Sequence, residues 1–479
     1  MNSRFSILNG NRLPNILSYA KLFPRRKQQR KRVLLSNRDE GVLMSKDNPT
    51  SAGKAAENAT AVADENTGPE TQQELPKWKG LYIALFVLAS GAVMLAQLVP
   101  STFSLAIRIQ QLAPDAKDVM LPIALTVPAA AIIFVNPVVG ILSDTTRSRF
   151  GRRRPWIVGG LLVGLIGMLT IAFSPNVPLV VVGWTVGYLG LTTGSAMFAT
   201  HMGDRLPQSQ RGIVAGINGS LVQVAPIIGI LVSGRLVDSA VLLFTVPALI
   251  AIVGALPFVL MINDPSTKDA EVVARPSILG IFKRMVFNPK KHPDLGWVWI
   301  SKLCVFVALY CNSVYSVYFL QERLGLDAGA VAALVATVGG VSIIFAMGGA
   351  FLGGWISDKI GKRKVLIYTA GAFFAVGLVV IAFTQNTMTY IIGSVLFTIG
   401  SGIFGSVDQA LSLDVLPSRD EAGRWIAITA LANEIPKALS PILAGTLVVL
   451  GGGYMGVYFL SAAFALAGCL LVIPIKKAR

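Results

Sequence analysis

Two charged residues fall deep inside a long apolar stretch near the end of the chain. Glu434 lies ten positions (434 − 424) beyond Arg424, where the stretch begins, so a helix rising ~1.5 Å per residue places its carboxylate about 15 Å inside. Lys437 follows at i+3, on the same helix face. A charge at this depth costs about 2.5–3.5 kcal/mol and marks a position that faces the protein interior or a wet cavity. We predict that Glu434 carries a coupling proton and that Lys437 pairs with it or meets a substrate. The alternative is a self-neutralising pair that only packs the helix.

Asp408 is a second acidic residue inside an apolar stretch. It lies six positions (414 − 408) before Asp414, which places it ~9 Å inside the end of that stretch. Lys302, at comparable depth in another stretch, is its predicted partner. We group Asp408 with Glu434 as a candidate coupling residue, while a structural charge pair and a gating element both stay open. His201 could titrate near neutral pH, but we interpret it as a bystander.

Neutral polar and aromatic residues are scattered through the other apolar stretches. A sugar site needs many hydrogen-bonding groups and an aromatic surface, whereas a site for lipophilic drugs needs mostly apolar walls. Singly, each such residue is more often an interhelical hydrogen bond, so only the collection favours a polyol. The predicted substrate-binding residues are Gln97, Tyr188, Thr192, Asn218, Gln223, Tyr310, Asn312, Asn433 and Lys437.

An internal repeat accounts for further charges. The pattern G-x-x-x-D followed by a basic cluster ends at Asp144 and again at Asp358, 214 positions later (358 − 144). The pattern D-x-L-P begins at Asp204 and again at Asp414, 210 positions later (414 − 204). Arginines that donate to these carboxylates would latch helix ends together, and the latch would break when that face opens. A solvated cluster that only sets topology is the alternative. The predicted gating residues are Gly140, Asp144, Arg152, Arg153, Asp204, Gly354, Asp358, Lys362, Arg363 and Asp414.

Apolar stretches of about 20 residues, enough to cross a hydrocarbon core of ~30 Å, recur about twelve times. A chain of 479 residues that is 53% hydrophobic and 14% charged is too apolar to be a soluble globular protein. The predicted helical spans are 80–107, 119–143, 156–174, 177–202, 212–235, 239–262, 297–320, 331–356, 365–384, 388–413, 424–450 and 454–475.

Basic residues concentrate in the connections between spans 2 and 3, 6 and 7, and 8 and 9. The positive-inside rule therefore predicts a multi-pass protein of the plasma (inner) membrane with both termini cytoplasmic. The net charge of +17 follows from these loops and from the basic residues 1–38 rather than from a face that could read bases. We expect no nucleic-acid partner.

The predicted organisation has four parts. Residues 1–77 form a disordered cytoplasmic tail, 78–263 and 297–479 form two six-helix halves, and 264–296 link them through an amphipathic helix on the membrane surface. For the start of the chain, a transit peptide and an extension that ends before Met44 are alternatives, and no secretory signal precedes the first span.

The region from Gly140 to Pro155, which reads G-x-x-x-D-x-x-x-x-R-x-G-R-R-R-P, resembles the loop between helices 2 and 3 of the major facilitator superfamily. Gly354 to Lys364 resembles the second copy of that loop, and the resemblance covers residues 80–475. It extends to the sucrose and glycoside-cation symporter branches. Plant sucrose carriers are similar in having an acidic residue near the inner end of helix 4, a place that Asp204 could fill. The resemblance implies an all-α fold of two pseudo-symmetric six-helix bundles, a substrate cavity between them and alternating access.

We therefore predict a secondary transporter that imports a sugar or glycoside together with H⁺ or Na⁺, with lipid, substrate and cation as its partners and a monomer as its state. The chain lacks a catalytic constellation and a nucleotide-binding motif, so we expect no enzyme and no cofactor. Cys304, Cys311 and Cys469 lie inside spans without metal-ligand spacing, so we expect no metal. Proton-driven drug efflux on the same scaffold and a nontransporting membrane sensor are the alternatives.

Overall fold

A computed structural model describes residues 75–262, 264–268, 280, 285–418 and 421–475. Regular structure in these residues is helical, without a β-strand. The helices are α1 Gly80–Leu112, α2 Lys117–Asp144, α3 Arg154–Ala172, α4 Val177–Arg205, α5 Gln208–Gly234, α6 Ala240–Met261, α7 Pro293–Val314, α8 Ala328–Ile360, α9 Arg363–Ala382, α10 Thr387–Asp414, α11 Ala422–Leu447 and α12 Gly453–Leu470.

Eleven helical segments of the described residues are long and apolar enough to cross a membrane. The last, Gly423–Leu470, has 48 residues, more than twice the length that one crossing needs. It contains a reversal at Gly451 and Gly453, whose φ angles of 92° and 59° lie in the region that glycine tolerates best. The segment therefore crosses twice, as α11 and α12. The predicted fold of twelve spans in two related six-helix halves is confirmed.

The largest departure from the predicted spans is at α7. The predicted span 297–320 ends at Val314, and a separate short helix, Ser316–Leu324, follows after Tyr315. Pro293 opens α7 at the first helical position, where its missing N–H is not needed, so the helix begins four residues (297 − 293) earlier than predicted. The predicted surface helix of the linker falls largely on residues 269–279 and 281–284, outside the described residues.

The two halves repeat the same helix contacts. In the first half, α1 packs on α5 and α6, α3 packs on α4 and α6, and α2 packs on α4. Each contact recurs six helices later, because α7 packs on α11 and α12, α9 packs on α10 and α12, and α8 packs on α10. The halves meet along two seams, α2 with α11 and α5 with α8. The two seams are equivalent in the repeat, because α8 is the counterpart of α2 and α11 is the counterpart of α5.

Repeated local contacts fix the ends of these helices. Asn176 and Asn386 cap α4 and α10 by accepting the backbone N–H three residues on, at 3.0 and 2.9 Å. Arg108 and Arg323 each donate to the backbone carbonyl that follows the third helix of its half, at 2.7 and 2.8 Å. These contacts lie at the end of the bundle that we call the far end. The basic end is the opposite one, where α2 ends and α3 begins.

Close helix contacts inside each half depend on glycine. A Cβ on Gly167 of α3 would lie 2.2 Å from the backbone nitrogen of Gly187 in α4. In the second half, a Cβ on Gly377 of α9 would lie 2.5 Å from the backbone nitrogen of Phe397 in α10. Small residues let membrane helices approach closely, so these glycines set the spacing of both helix pairs.

The seams between the halves are closed in their far half. Thr126 Oγ1 of α2 donates to the carbonyl of Ala438 in α11 at 3.1 Å. On the other seam, a Cβ on Gly339 of α8 would lie 3.1 Å from Ile227 Cγ1 of α5. The hydrogen bonds that Thr126, Tyr315, Tyr318 and Tyr454 make between the halves lie in this far half of the bundle.

The halves are apart at the basic end. In α5, residues 211–213 and 215–217 are exposed and only Val214 between them is buried, so neighbours cover this part of the helix on one side alone. In α8, Phe351 and Trp355 are likewise 74% and 55% exposed. The space between the halves therefore opens at the basic end and is closed at the far end.

Candidate functional site

The basic end of the first half holds a charge cluster around one buried arginine, whose partners Asp144 and Asp204 are exposed. Arg153, only 7% exposed at the start of α3, places Nη2 2.7 Å from Asp144 Oδ1 and 2.9 Å from Asp204 Oδ2. Its Nε donates to the same Asp204 oxygen at 3.0 Å, and its Nη1 donates to Ser143. One buried guanidinium thus ties the ends of α2 and α4 to α3, with the charge-assisted bonds that a latch requires. Of the four predicted gating residues in this half that carry a charge, Arg152 alone makes no ion pair within the described residues.

Asp264 completes this cluster and was not predicted. Its Oδ2 accepts the backbone N–H groups of Arg153 and Arg154 at 2.6 and 3.1 Å, which places a carboxylate at the N-terminus of α3. Gly151 makes room for it, since its φ is 91° and a Cβ there would lie 2.1 Å from Asp264 Cγ. The side chains enclose a polar cavity of about 470 Å³ that His201 also lines.

The second half repeats only part of the cluster. Arg363 at the start of α9 pairs with Asp414 at the end of α10, and both side chains are partly exposed, by 27% and 39%. Asp358, the counterpart of Asp144, is exposed and makes no ion pair within the described residues, and Lys362 is exposed beside it. The predicted latch therefore consists of two ion pairs in the first half and of one ion pair in the second.

The repeated glycines of the motif are not held by close packing. A Cβ added to Gly140 or to Gly354 would meet no atom within 4 Å among the described residues. Both lie near the basic end, where the halves are apart. A steric need for glycine at either position can arise only in an arrangement in which that end is closed.

The predicted charged pair lies at mid-depth in α11. Lys437 Nζ approaches both carboxylate oxygens of Glu434, at 2.7 and 2.8 Å. The two side chains are 30% and 34% exposed, although each sits in the middle of a spanning helix. Because a charge at this depth is costly in hydrocarbon, the exposed part of the pair is expected to face the space between the halves.

Tyrosines from both halves converge on this pair. Tyr188 of α4 and Tyr310 of α7 both lie within electrostatic range of Glu434 and Lys437. Tyr188 lies against Gln97 and Thr192, and Gln97 Nε2 donates to Thr192 Oγ1 at 2.8 Å. Five of the nine predicted substrate-binding residues, counting Lys437, therefore meet at one depth, together with the predicted coupling residue Glu434.

The remaining predicted polar residues are less well placed. Asn218 and Asn433 each have a buried side-chain oxygen without a hydrogen-bond partner in the described structure, which a polar ligand could supply. Asn136 of α2, which the sequence reasoning passed over, has the same unmet acceptor. Gln223 is exposed and Asn312 is half-buried, and no described contact joins either to the pair in α11.

Asp408 and Lys302 form a second, more enclosed ion pair. Lys302 Nζ lies 2.6 Å from Asp408 Oδ2, and each residue is 8% exposed. The pair joins α7 to α10 within the second half. The corresponding region of the first half is aromatic instead. Phe86 packs on Phe198 and Phe258, and Phe258 packs on His201, whose Nε2 lies 2.8 Å from Tyr82 Oη.

Tyrosines of the second half clasp the first half at the far end. Tyr454 Oη donates to Asp118 Oδ1, and Tyr315 Oη donates to the Asp118 carbonyl, both at 2.5 Å. Tyr318 Oη donates to the carbonyl of Ala106 at 2.8 Å. The sequence reasoning did not predict this clasp, because nothing local in the sequence relates residues 336 positions apart. No cluster of potential metal ligands occurs in the described residues.

A family model supports this architecture and identifies the class. The model of the Major Facilitator Superfamily matches residues 81–420 and 349–479. Together the two matches cover most of the chain, which therefore belongs to the major facilitator superfamily. It is a multi-pass membrane protein of that family, and the predicted family is confirmed.

Curated relatives are distant and match only in part. The chain is 31% identical over 128 residues to a general alpha-glucoside permease of Schizosaccharomyces pombe, covering 25% of this chain and 22% of the permease. It is 28% identical over 132 residues to myo-inositol transporter 3C of Cryptococcus neoformans, covering 28% of this chain and 22% of that transporter. It is 28% identical over 148 residues to the multidrug efflux pump Tap of Mycolicibacterium fortuitum, covering 30% of this chain and 34% of the pump. The aligned segments thus span between 22% and 34% of these relatives.

Solved structures share the fold over nearly the whole bundle. The nucleoside transporter NupG superposes with a TM-score of 0.67 at 12% identity, over 82% of this chain and 100% of that chain. The xylose transporter XylE from E. coli superposes with a TM-score of 0.58 at 15% identity, over 83% of this chain and 99% of that chain. At these identities the likeness establishes the fold alone.

Proposed function

We propose that this transporter imports a sugar or glycoside together with H⁺ or Na⁺ by alternating access. The observation that carries the proposal is the Glu434–Lys437 pair, which lies at mid-depth, is about a third exposed, and has tyrosines from both halves beside it. Aromatic faces and neutral donors suit a polyol, and a carboxylate suits a coupling cation. The partial likeness to an alpha-glucoside permease and a myo-inositol transporter points to the same substrate class.

Coupling follows from the contacts of Glu434. The ionised carboxylate holds Lys437 with both oxygens. Binding of a proton or of Na⁺ at Glu434 weakens that hold and frees the ammonium to meet the substrate or Tyr188. Cation and substrate thus favour the same rearrangement, which is the differential binding that coupling between two sites requires. Asp408, which Lys302 holds, is a second candidate for the cation.

The gating and topology of the proposal follow from the two ends of the bundle. The basic end is cytoplasmic by the positive-inside rule, with both termini on that side of the plasma membrane. The arrangement described here is then open to the cytoplasm. The latches around Arg153 and Arg363 hold the helix ends of each half together, and the clasp on Asp118 closes the outer side. Residues 78–263 and 297–479 act as the two moving halves, residues 1–77 and 264–296 as tail and linker, and the protein works as a monomer.

Drug efflux is the second candidate, favoured by the partial likeness to the efflux pump Tap. A nontransporting membrane sensor is the third. Proteoliposomes with an imposed pH or Na⁺ gradient distinguish the three. Accumulation of labelled disaccharide supports the import proposal, and extrusion of a fluorescent drug without sugar uptake replaces it with efflux. The absence of both, with substrate-induced thermal stabilisation retained, replaces it with a sensor.

A further inference from the structure

The charges that lie deepest in the bundle are paired. Glu434 contacts Lys437 at 2.7 Å, and Asp408 contacts Lys302 at 2.6 Å. Within the described helices, every other charged residue lies close to a helix end, the farthest being Arg108, four positions away (112 − 108). The middle of the bundle, as far as the structure describes it, therefore carries no net charge before substrate and cation bind.

Binding of a cation at Glu434 upsets this balance. The Lys437 ammonium contacts both carboxylate oxygens of Glu434, at 2.7 and 2.8 Å. A proton or Na⁺ on that carboxylate cancels its charge and leaves the ammonium without a counter-charge in the middle of the membrane, where an unpaired charge is costly. A neutral sugar cannot supply the missing negative charge.

The surroundings of Lys437 suit an anion that comes from outside the protein. The groups that act on its ammonium are Glu434, Tyr188 and Tyr310, so Glu434 is the one carboxylate among them in the described part of the chain. Each tyrosine brings a hydroxyl group that can donate a hydrogen bond to a carboxylate. Once Glu434 is neutralised, only the substrate can restore the pairing of Lys437.

Three unmet amide oxygens at similar depth suit the remainder of such a substrate. Asn136, Asn218 and Asn433 each have a buried Oδ1 without a hydrogen-bond partner among the described residues. They lie eight, ten and eleven positions from the basic ends of their helices (144 − 136, 218 − 208 and 433 − 422), or about 12–17 Å deep. An amide oxygen accepts a hydrogen bond from a hydroxyl group. The site thus offers one cation for an acid group and several acceptors for hydroxyl groups.

We propose that the substrate is a sugar acid, a polyhydroxylated monocarboxylate whose carboxylate replaces that of Glu434 on Lys437 when Glu434 binds the cation. This inference rests on the proposed function and narrows its substrate class. One H⁺ or Na⁺ and one carboxylate enter together, so the loaded site is as neutral as the empty one. Transport of one cation per substrate is therefore electroneutral, whereas a neutral sugar with one cation would carry a positive charge across the membrane.

The test uses two matched pairs of labelled compounds in proteoliposomes, glucuronate with glucose and lactobionate with lactose. Each acid differs from its neutral partner by the oxidation of one carbon. Under an inward H⁺ or Na⁺ gradient, we expect at least one acid to accumulate tenfold or more above its neutral partner. An imposed membrane potential of about 100 mV should change that accumulation less than twofold, although it would change that of a singly charged load about 50-fold.

The outcomes separate this inference from the proposed function. Accumulation of the neutral sugars in preference to the acids would overturn the sugar-acid assignment and leave sugar import intact. Accumulation of an acid that responds strongly to the potential would overturn the charge exchange at Lys437. Failure of all four compounds to accumulate under either gradient would overturn both proposals.

Variants of Lys437 locate the acid group. Lys437→Gln should lose the preference for the acid at least tenfold, because it removes the cation, whereas Lys437→Arg should keep most of it. Lys290→Gln removes the same charge at an exposed position between α6 and α7 and is the matched control. Thermal unfolding shows whether each variant is folded, and the response of the wild-type protein to potential stays decisive if Lys437→Gln is not. An unchanged preference in folded Lys437→Gln would overturn the assignment.

Discussion

At the scale of single residues, burial separates two ion pairs of the same chemistry. Glu434 and Lys437 are about a third exposed beside the space between the halves, whereas Asp408 and Lys302 are 8% exposed and enclosed between α7 and α10. A carboxylate in contact with water can exchange its proton without a change of structure. Asp408 can do so only when its surroundings open, because leaving Lys302 unpaired in the interior is costly. Glu434 is therefore the first residue to test for coupling.

Glu434→Gln should abolish uphill accumulation of substrate while sparing counterflow exchange. The amide keeps the shape of the side chain and an acceptor for Lys437, but it cannot be charged or take up a coupling proton. Uptake into proteoliposomes with and without an imposed gradient measures both activities. Glu421→Gln, which alters an exposed acid paired with Arg424, is the matched control and should keep both. Normal uphill uptake by Glu434→Gln would remove this residue from the coupling role.

Arg153→Ala should lower the free energy of unfolding by about 1–3 kcal/mol, because it removes a buried side chain and its charge-assisted hydrogen bonds to Asp204 and Ser143. Arg363→Ala, at the corresponding position, should cost about 0–1 kcal/mol, because its single partner is partly exposed. Thermal unfolding of the two variants in the same detergent provides the comparison. An equal loss in both would contradict the difference between the two clusters.

At the scale of helices, the internal repeat and the long apolar stretches made the helices predictable from the sequence. The spans, their number and the doubled motifs were all readable, because apolar length and internal offsets are local properties of a membrane chain. The depth of Glu434 followed from counting residues along one helix. The break of α7 at Tyr315 was missed, because the hydrogen bonds that hold Tyr315 and Tyr318 go to the first half, on residues 197 and 212 positions away.

Parts of the site that depend on contacts between distant residues could not be predicted from the sequence. Asp264 lies in a connection between helices, where no periodicity indicates what its side chain contacts. Asn136 is one polar residue in an apolar helix, and its unmet oxygen is visible only after the neighbours are placed. The meeting of Gln97, Tyr188 and Tyr310 at one depth could be anticipated, but the lesser placement of Gln223 and Asn312 could not. Position along a helix predicts depth, whereas the direction of a side chain depends on packing.

Gly167→Ala should destabilise the fold, because the added methyl group would lie 2.2 Å from backbone nitrogen in α4 and would force two helices apart. Gly194→Ala, in α4 itself, adds a methyl group that meets no described atom within 4 Å. It should be neutral or gain about 0.5–1 kcal/mol from helix propensity. Thermal unfolding compares the stability of the two variants. An unchanged stability of Gly167→Ala would contradict the view that glycine sets the distance between α3 and α4.

At the scale of the whole molecule, the contacts of the α5–α8 seam show which residues of the two helices lie opposite each other. The two helices run antiparallel, so contacting positions keep a constant sum: Gly234 meets Ala332 and Ile227 meets Gly339, both summing to 566 (234 + 332 and 227 + 339). Two helical turns nearer the basic end, the same register pairs Ser220 with Ala346. If the halves rock as rigid bodies, closing the basic end should bring this pair together and part the far pair.

Ile227→Cys with Gly339→Cys should form a disulfide in the resting protein, because the Cβ of residue 339 would lie 3.1 Å from the present Ile227 Cγ1. The bond should block transport until it is reduced. Ser220→Cys with Ala346→Cys should cross-link only when substrate and cation drive closure of the basic end. Gel mobility after mild oxidation reports both pairs, in a background with Cys304, Cys311 and Cys469 replaced by alanine. Efficient cross-linking of the basic-end pair at rest would refute the open arrangement.

The unequal latches of the two halves have a consequence for ionic strength. Mobile ions screen charges that water reaches, over a Debye length of ~8 Å at physiological salt, and affect a buried guanidinium much less. Arg363 and Asp414 are open to such screening, while Arg153 is enclosed and doubly bonded. Concentrated electrolyte should therefore loosen one side of the molecule first. The two related halves would then differ more from each other in concentrated salt, at a salt concentration where the protein is still folded.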